Sequence, residues 1–391
     1  MSEVTVANWT PTPIGEVIAG LYDGPHATPK PCDAGPIFLG IKNVSEDGFL
    51  DLNNVRHISE DEFPRWTKRV LPRAGDIVFT YEATLNRYAV IPEGFRGCLG
   101  RRMALIRPDE TKAHGKYLYY AFFGPRWRAT IGANILSGST VDRIPLTNFP
   151  SFEIDLPPLP IQKRIAAILS AYDDLIEVNT RRIAILEEMT RRTYEEWFVR
   201  YRFPGGDGTR PYGWSHGKLG DVLSLRYGKA LKATDRNGGP VPVYGSSGVV
   251  GSHDTALVTG PGLVVGRKGN VGSVFLSTTD FYPIDTAYFV ETEKPLLYVH
   301  QLLRTYSFES NDAAVPGLNR EYALTRDAVV APDAIMGAYS AAVAPLYELA
   351  QTLNLQNTNL RAQRDLLLPR LVSGKLDVSE IDLPQKDLAH A

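Results

Sequence analysis

The chain has 391 residues, 43% of them hydrophobic, with 42 basic and 44 acidic side chains and a formal net charge of −2. At about 150 residues per domain this makes two or three domains, and the composition excludes a disordered or collagen-like chain. No apolar run reaches the roughly 18 residues a membrane helix needs, no basic and then apolar leader opens the chain, and two cysteines, Cys32 and Cys98, form no disulfide framework. A cytoplasmic protein without membrane contact is expected. Charge stays balanced from segment to segment, so nucleic acid would be held by local clusters or with a partner's help, not by a basic tail.

Residues 1–157 alternate short β-like runs, such as Pro36-Ile37-Phe38-Leu39 and Asp76-Ile77-Val78-Phe79-Thr80, with Gly and Pro breakers, and read as a mixed domain. Residues 158–203 hold a helix marked by Leu156-Pro157-Pro158-Leu159-Pro160 at its start, with apolar residues at Ile161, Ile165, Ile168, Tyr172, Leu175, Ile183, Leu186 and Met189. Forty helical residues span roughly 60 Å. Residues 204–333 return to the first texture. Residues 334–391 return to the second, with Val343, Leu346, Ala350, Leu353, Asn357, Leu360, Arg364, Leu367 and Leu371 stepping by three and four. Pro369 is expected to bend or end this helix and Gly374 to stop it.

The halves echo each other. Ile14-Gly15-Glu16-Val17-Ile18 matches Leu219-Gly220-Asp221-Val222-Leu223, Gly75-Asp76-Ile77-Val78 matches Gly262-Leu263-Val264-Val265, and Glu153-Ile154-Asp155-Leu156-Pro157 matches Ala328-Val329-Val330-Ala331-Pro332. The fold class expected is α+β: two mixed α/β domains separated by two long helices paired as an antiparallel coiled coil, duplicated about a pseudo-two-fold axis. Asn179 and Asn357 fall on the helix stripes, either as buried register-setting residues or as solvent-facing ones.

Catalytic signatures are missing. There is no P-loop, the glycine runs 245–251 and 266–272 lack the dinucleotide spacing, Asp109, Glu110 and Lys112 are too adjacent to converge as a nuclease site, and no serine has a nucleophile elbow. Neither catalytic, cofactor-binding nor metal-binding residues are expected. Polar and basic residues gather instead in predicted loops suited to reading DNA: Thr80, Tyr81, Arg87, Arg101, Arg102, Ser139, Thr140 and Arg143 in the first half, and Ser246, Ser247, Arg267, Lys268, Asn270, Asn319 and Arg320 in the second. Arg grips guanine edges or phosphates, and Asn pairs with adenine.

The stretch from Leu156 through Gln162-Lys163-Arg164-Ile165 to Glu195-Glu196-Trp197-Phe198 resembles the central helix of type I restriction–modification specificity subunits. Residues Arg364-Asp365-Leu366-Leu367-Leu368-Pro369-Arg370-Leu371 to Leu376 resemble the end of that family's second helix, and Gly266-Arg267-Lys268-Gly269-Asn270-Val271-Gly272 is similar to a loop of its target recognition domains. The first half departs, with Glu82-Ala83-Thr84-Leu85-Asn86 in place of a glycine-rich loop, and the second helix lacks a close copy of the proline-rich start. The resemblance implies a non-catalytic subunit. Its two domains each read one half of a bipartite, asymmetric site in double-stranded DNA, with half-sites near one turn apart, ~34–36 Å. Its helices carry two methyltransferase subunits that use S-adenosylmethionine to methylate adenine N6, with or without two restriction subunits that use ATP and Mg. The alternative is a protein-interaction scaffold without sequence-specific DNA binding.

Overall fold

The structure is a computed structural model that describes residues 9–30, 32–137, 141–308 and 317–381. Proline at the start and an unbroken run without Gly or Pro give the first long helix, Leu159–Tyr194. The Pro158 carbonyl accepts from Ile161 and Gln162, and buried Gln162 ties the start down, donating to the Pro157 carbonyl and accepting the His114 N–H, both at 2.8 Å. The second long helix, Asp333–Val372, begins in the same way: the Pro332 carbonyl accepts from Ile335 and Met336. Ala331-Pro332 thus serves as the start that the sequence did not make obvious.

The chain divides into two compact units, residues 1–178 with 356–391 and residues 179–355, so each unit takes half of each long helix. This partition differs from a division into four consecutive segments, because each half-helix packs its inward face on the globular part beside it. In the first unit a four-stranded sheet runs Ile18–Asp23, Met103–Pro108, Ile77–Thr80, Tyr88–Val90 in spatial order, and a three-stranded sheet runs Arg56–His57, Cys32–Leu39, Gly97–Leu99. In the second unit the four-stranded sheet runs Ser224–Tyr227, Ala287–Glu291, Gly262–Gly266, Val274–Ser277, and the three-stranded one Gly248–His253, Val241–Gly245, Tyr282–Pro283. A two-stranded ribbon closes each unit, Thr10–Pro13 with Glu153–Leu156 and Ser215–Lys218 with Asp327–Val330. The order of pairing is the same in both, which is a duplication in the backbone itself.

Hydrogen bonds correct two of the sequence matches by one residue. Thr80 N–H reaches the Arg87 carbonyl (3.0 Å) as Gly266 N–H reaches that of Ser273 (2.8 Å), so Ile77 corresponds to Leu263, not Val264. Glu153 likewise corresponds to Asp327, not Ala328. Glycine misled the match: Gly75 serves a turn at φ +84°, whereas Gly262 lies inside a strand, and a slip of one turns every side chain to the other face.

Within each unit the two half-helices run antiparallel. In the first, Ile176 meets Asn357 and Asp173 meets Arg364. In the second, Thr190 and Tyr194 meet Tyr339. Both asparagines are buried, Asn179 to 1% and Asn357 to 2% exposure, which settles them as inward residues. The stripe on the second helix holds as read. On the first, Leu175 and Met189 are 45% and 47% exposed. The inward positions there include Ile176, Asn179 and Leu186, together with Asp173 and Thr190, polar residues that an apolar-only pattern skips. Pro369 does not end its helix, which runs to Val372 and stops where Gly374 takes φ +70°. The proline costs one hydrogen bond, and the packing of Leu368, Leu371 and Val372 into the core carries the helix past it.

A buried polar clamp fixes each globular part to its helices. In the first unit it is ionic: Arg364 pairs with Asp173 at 2.6 Å, and the Tyr120 hydroxyl donates to the same carboxylate at 2.7 Å. In the second it is neutral: Gln301 donates to the Thr190 hydroxyl (3.0 Å) and to the Tyr347 hydroxyl (2.9 Å), which also lies 2.6 Å from His300 Nδ1.

Candidate nucleic-acid interface

In the second unit, strand Gly262–Gly266 runs into a loop, 267–272, that returns as Val274–Ser277. The loop turns through Gly269 at φ +84° and Gly272 at φ +77°. A Cβ on Gly272 would lie 2.9 Å from the Phe308 side chain, so that turn admits only glycine. Leu318 N–H donates to the Arg267 carbonyl (2.7 Å), and Lys268 bridges to Gly317, which brings in Asn319 and Arg320. The Ser273 hydroxyl donates to the Ser246 carbonyl at 2.5 Å, which brings in Ser246 and Ser247. All seven residues expected in this half therefore surround one loop. Ser247, Lys268 and Asn270 are exposed. Ser246 is buried, and the Asn319 carboxamide caps helix Arg320–Leu324 by accepting the Tyr322 N–H at 3.0 Å, so these two shape the loop's surroundings. The Arg267 guanidinium stands over the Tyr227 ring at 4.9 Å and the Tyr288 ring at 5.8 Å, and Arg320 stands over Tyr227 at 5.4 Å. Burial, with the Tyr227 hydroxyl beside it, raises the Tyr288 phenol, so it stays protonated beneath Arg267.

The first unit builds the same loop from different residues. Ile144 N–H donates to the Tyr81 carbonyl (2.8 Å) as Leu318 does to Arg267, and Ala83 (φ +68°) and Asn86 (φ +60°) take the places of Gly269 and Gly272. The departure seen in the sequence is thus a change of residue within an unchanged turn. Tyr81 stands where the second unit has Arg267, and Glu82 where it has Lys268.

Several expectations need correction here. Thr80 ends a strand and is 1% exposed, and Tyr81 is buried with its hydroxyl 3.3 Å from His26 Nε2, so both support the loop from beneath. Burial pushes the Tyr81 phenol up to about 12. Arg87 is held by Glu46 (2.8 Å) and the Val44 carbonyl. Arg102, at φ +69°, pairs with Glu82 at 3.0 Å. Arg143 is exposed on strand Asp142–Arg143 opposite Glu82. Ser139 and Thr140 lie outside the described residues. Arg101 and Arg102 line an open cleft of about 460 Å³ together with Lys42 and Arg56. No carboxylate pairs with Lys42, Arg56 or Arg101 among the described residues. Lys42 and Arg56 were not singled out in the sequence. They are isolated cations in the sequence, and only the correct register of the duplication, which puts Lys42 at the place of Ser247, marks the first of them.

Among the described residues no group of three or more His, Cys, Asp or Glu could hold a metal ion, and no helix is long and apolar enough to cross a membrane.

The model of the type I restriction modification DNA specificity domain matches residues 40–188. The MjaIX type I restriction enzyme specificity subunit of Methanocaldococcus jannaschii is 24% identical over 363 residues, 83% of each chain. The MjaVIII specificity subunit of the same organism is 24% identical over 174 residues, 43% of this chain and 40% of that one. Among solved structures, the type I restriction–modification S subunit from M. genitalium superposes with a TM-score of 0.58 at 16% identity, covering 95% of this chain and 98% of that one, a likeness of fold. The pattern of its helices and these matches point one way: the chain is similar to the type I restriction–modification specificity subunits.

Proposed function

We propose that this chain is the non-catalytic subunit that gives a type I restriction–modification complex its DNA sequence. Each unit reads one half of a bipartite, asymmetric site in double-stranded DNA through the surface beside its left-handed loop. The long helices set the spacing and carry two adenine-N6 methyltransferase subunits. Those subunits bring S-adenosylmethionine; ATP and Mg belong to restriction subunits where these are present. One observation carries the reading: the same loop occurs twice on one backbone plan, furnished with two different sets of polar and cationic side chains. A duplicated frame with unlike linings suits a target with two unlike halves.

The test is a genome-wide map of N6-methyladenine in the host, with the chain present and then deleted. Loss of one split, asymmetric motif on deletion is the expected result. An unchanged set of motifs would leave a protein-interaction scaffold as the better account. Replacing residues 1–150 by the corresponding part of another specificity subunit should change one half of the motif only.

A further inference from the structure

We infer that Arg267 specifies a guanine in the half-site read by the second unit, an inference that rests on the DNA-reading role proposed above. Two kinds of cation stand on this loop. Lys268 is exposed on the loop with no carboxylate partner among the described residues, the condition of a side chain that follows a phosphate by charge alone. Arg267 is half-buried and held on three sides: by the Tyr227 ring at 4.9 Å, by the Tyr288 ring at 5.8 Å, and by the Asp285 carbonyl, which accepts from Nη1 at 3.0 Å. A guanidinium fixed in this way has already given up its rotational freedom, and its planar fork keeps one orientation.

Charge attraction to phosphate needs no such fixing, whereas a bidentate contact to a base edge does. Guanine offers two adjacent acceptors, N7 and O6, in the major groove; adenine offers one acceptor and one donor, and the donor opposes the fork. The neighbouring Arg320 is a weaker candidate, because Glu321 Oε1 takes its Nη2 at 2.8 Å. Asn270 on the same loop and Ser247, next to Ser246 whose carbonyl accepts from Ser273, are both exposed. The first unit has no equivalent determinant. Its residue at this place is Tyr81, buried and turned to His26. The guanine requirement therefore belongs to one half of the site.

The experiment compares the N6-methyladenine motif in cells carrying the full chain with its methyltransferase, as wild type, Arg267→Ala and Arg267→Lys. The wild-type motif should contain a guanine in at least one half. In Arg267→Ala one guanine position should accept other bases, with methylation at non-guanine sites rising about tenfold or more, and the other half should stay unchanged. Arg267→Lys keeps the charge and loses the fork, so it should relax the same position while total methylation holds up better. A motif with no guanine in either half would overturn the inference, as would even loss across an unaltered motif or relaxation in both halves. Complete loss of methylation in both variants, with wild-type melting temperatures for the purified chains, would make Arg267 a general affinity residue and also overturn it. Should Arg267→Ala melt early, the lysine variant decides between these outcomes. If deleting the chain leaves every motif in place, the DNA-reading role itself has failed, a result distinct from all of these.

Discussion

In the first unit the cations of the cleft, Lys42, Arg56, Arg101 and Arg102, sit on the walls, and the loop beside them carries Glu82, paired with Arg102. In the second unit the loop carries Arg267 and Lys268, and the wall positions that correspond to Arg101 and Arg102 are Asp285 and Thr286. The backbone hydrogen bonds are equivalent, yet charge is placed in opposite senses. The helix clamps differ in the same spirit, with the ion pair Asp173–Arg364 in one unit and the neutral set Thr190, Gln301, Tyr347 and His300 in the other. A duplicated frame fixes where side chains stand and leaves open which chemistry stands there.

The clamps give the largest tests of this contrast. Arg364→Ala leaves the Asp173 carboxylate buried without its partner, a loss of about 3–5 kcal/mol, to be read in urea unfolding of the full chain. The counterpart in the second unit, Thr190→Val, removes only neutral hydrogen bonds, from Gln301 and to the Glu187 carbonyl, and should cost about 1–2 kcal/mol. Similar costs at the two sites would dissolve the distinction between an ionic and a neutral clamp.

The neutral clamp carries its own dependence on pH. Burial, helped by the Arg304 charge, pushes His300 down to about 3. In the unfolded chain a histidine titrates near 6.5, so the unfolded state binds a proton that the folded state refuses. The stabilisation is complete above pH 6.5 and is lost as pH falls from there toward 3, by about 1.4 kcal/mol per pH unit. Between pH 7 and pH 5, His300→Gln should therefore lose about 2 kcal/mol less than the wild type, measured by hydrogen exchange in helix Leu296–Arg304. An equal loss in both proteins would place the proton elsewhere.

The loops provide a smaller, reciprocal test. Ala83→Gly relieves an alanine held at φ +68° and should stabilise the first unit by about 1 kcal/mol, whereas Gly269→Ala at φ +84° should destabilise the second by a similar amount. Thermal melting of the two variants should shift in opposite directions. Smallest is the effect of single unpaired cations. Lys268→Ala and Arg101→Ala should each weaken DNA binding by roughly the same factor for every sequence and lower the salt slope by about 1, read by titration of the assembled complex at several salt concentrations.

What the sequence made legible follows from what repeats in it. The two helices were readable because apolar residues recur at three and four, and no position of the second stripe from Val343 to Leu371 is exposed: Val343, Leu353, Asn357, Arg364 and Leu371 are buried and the rest half-buried. The first stripe went astray at Leu175 and Met189, where Asp173 and Thr190 turn inward and hydropathy carries no sign of it. The loop of the second unit announced itself through glycine. Its twin did not, since Ala83 and Asn86 adopt the left-handed conformation without advertising it. Basic residues in loops were found as a class, but whether a given one faces a ligand or a neighbour was hidden. Arg87 turns to Glu46 and Arg102 to Glu82, while Lys42 and Arg56, unremarkable in sequence, line the cleft.

The opposed placement of charge bears on how such a protein acquires a new target. Grafting residues 267–272 onto the first unit would set Arg267 and Lys268 against Arg101 and Arg102, and would strip Arg102 of Glu82. The reverse graft would put Glu82 beside Asp285. Loop and wall have been matched within each unit, so neither travels well alone. On the function proposed above, a new specificity should then come as recombination of a whole globular segment, with crossovers in the long helices, and seldom as piecemeal exchange of loop residues.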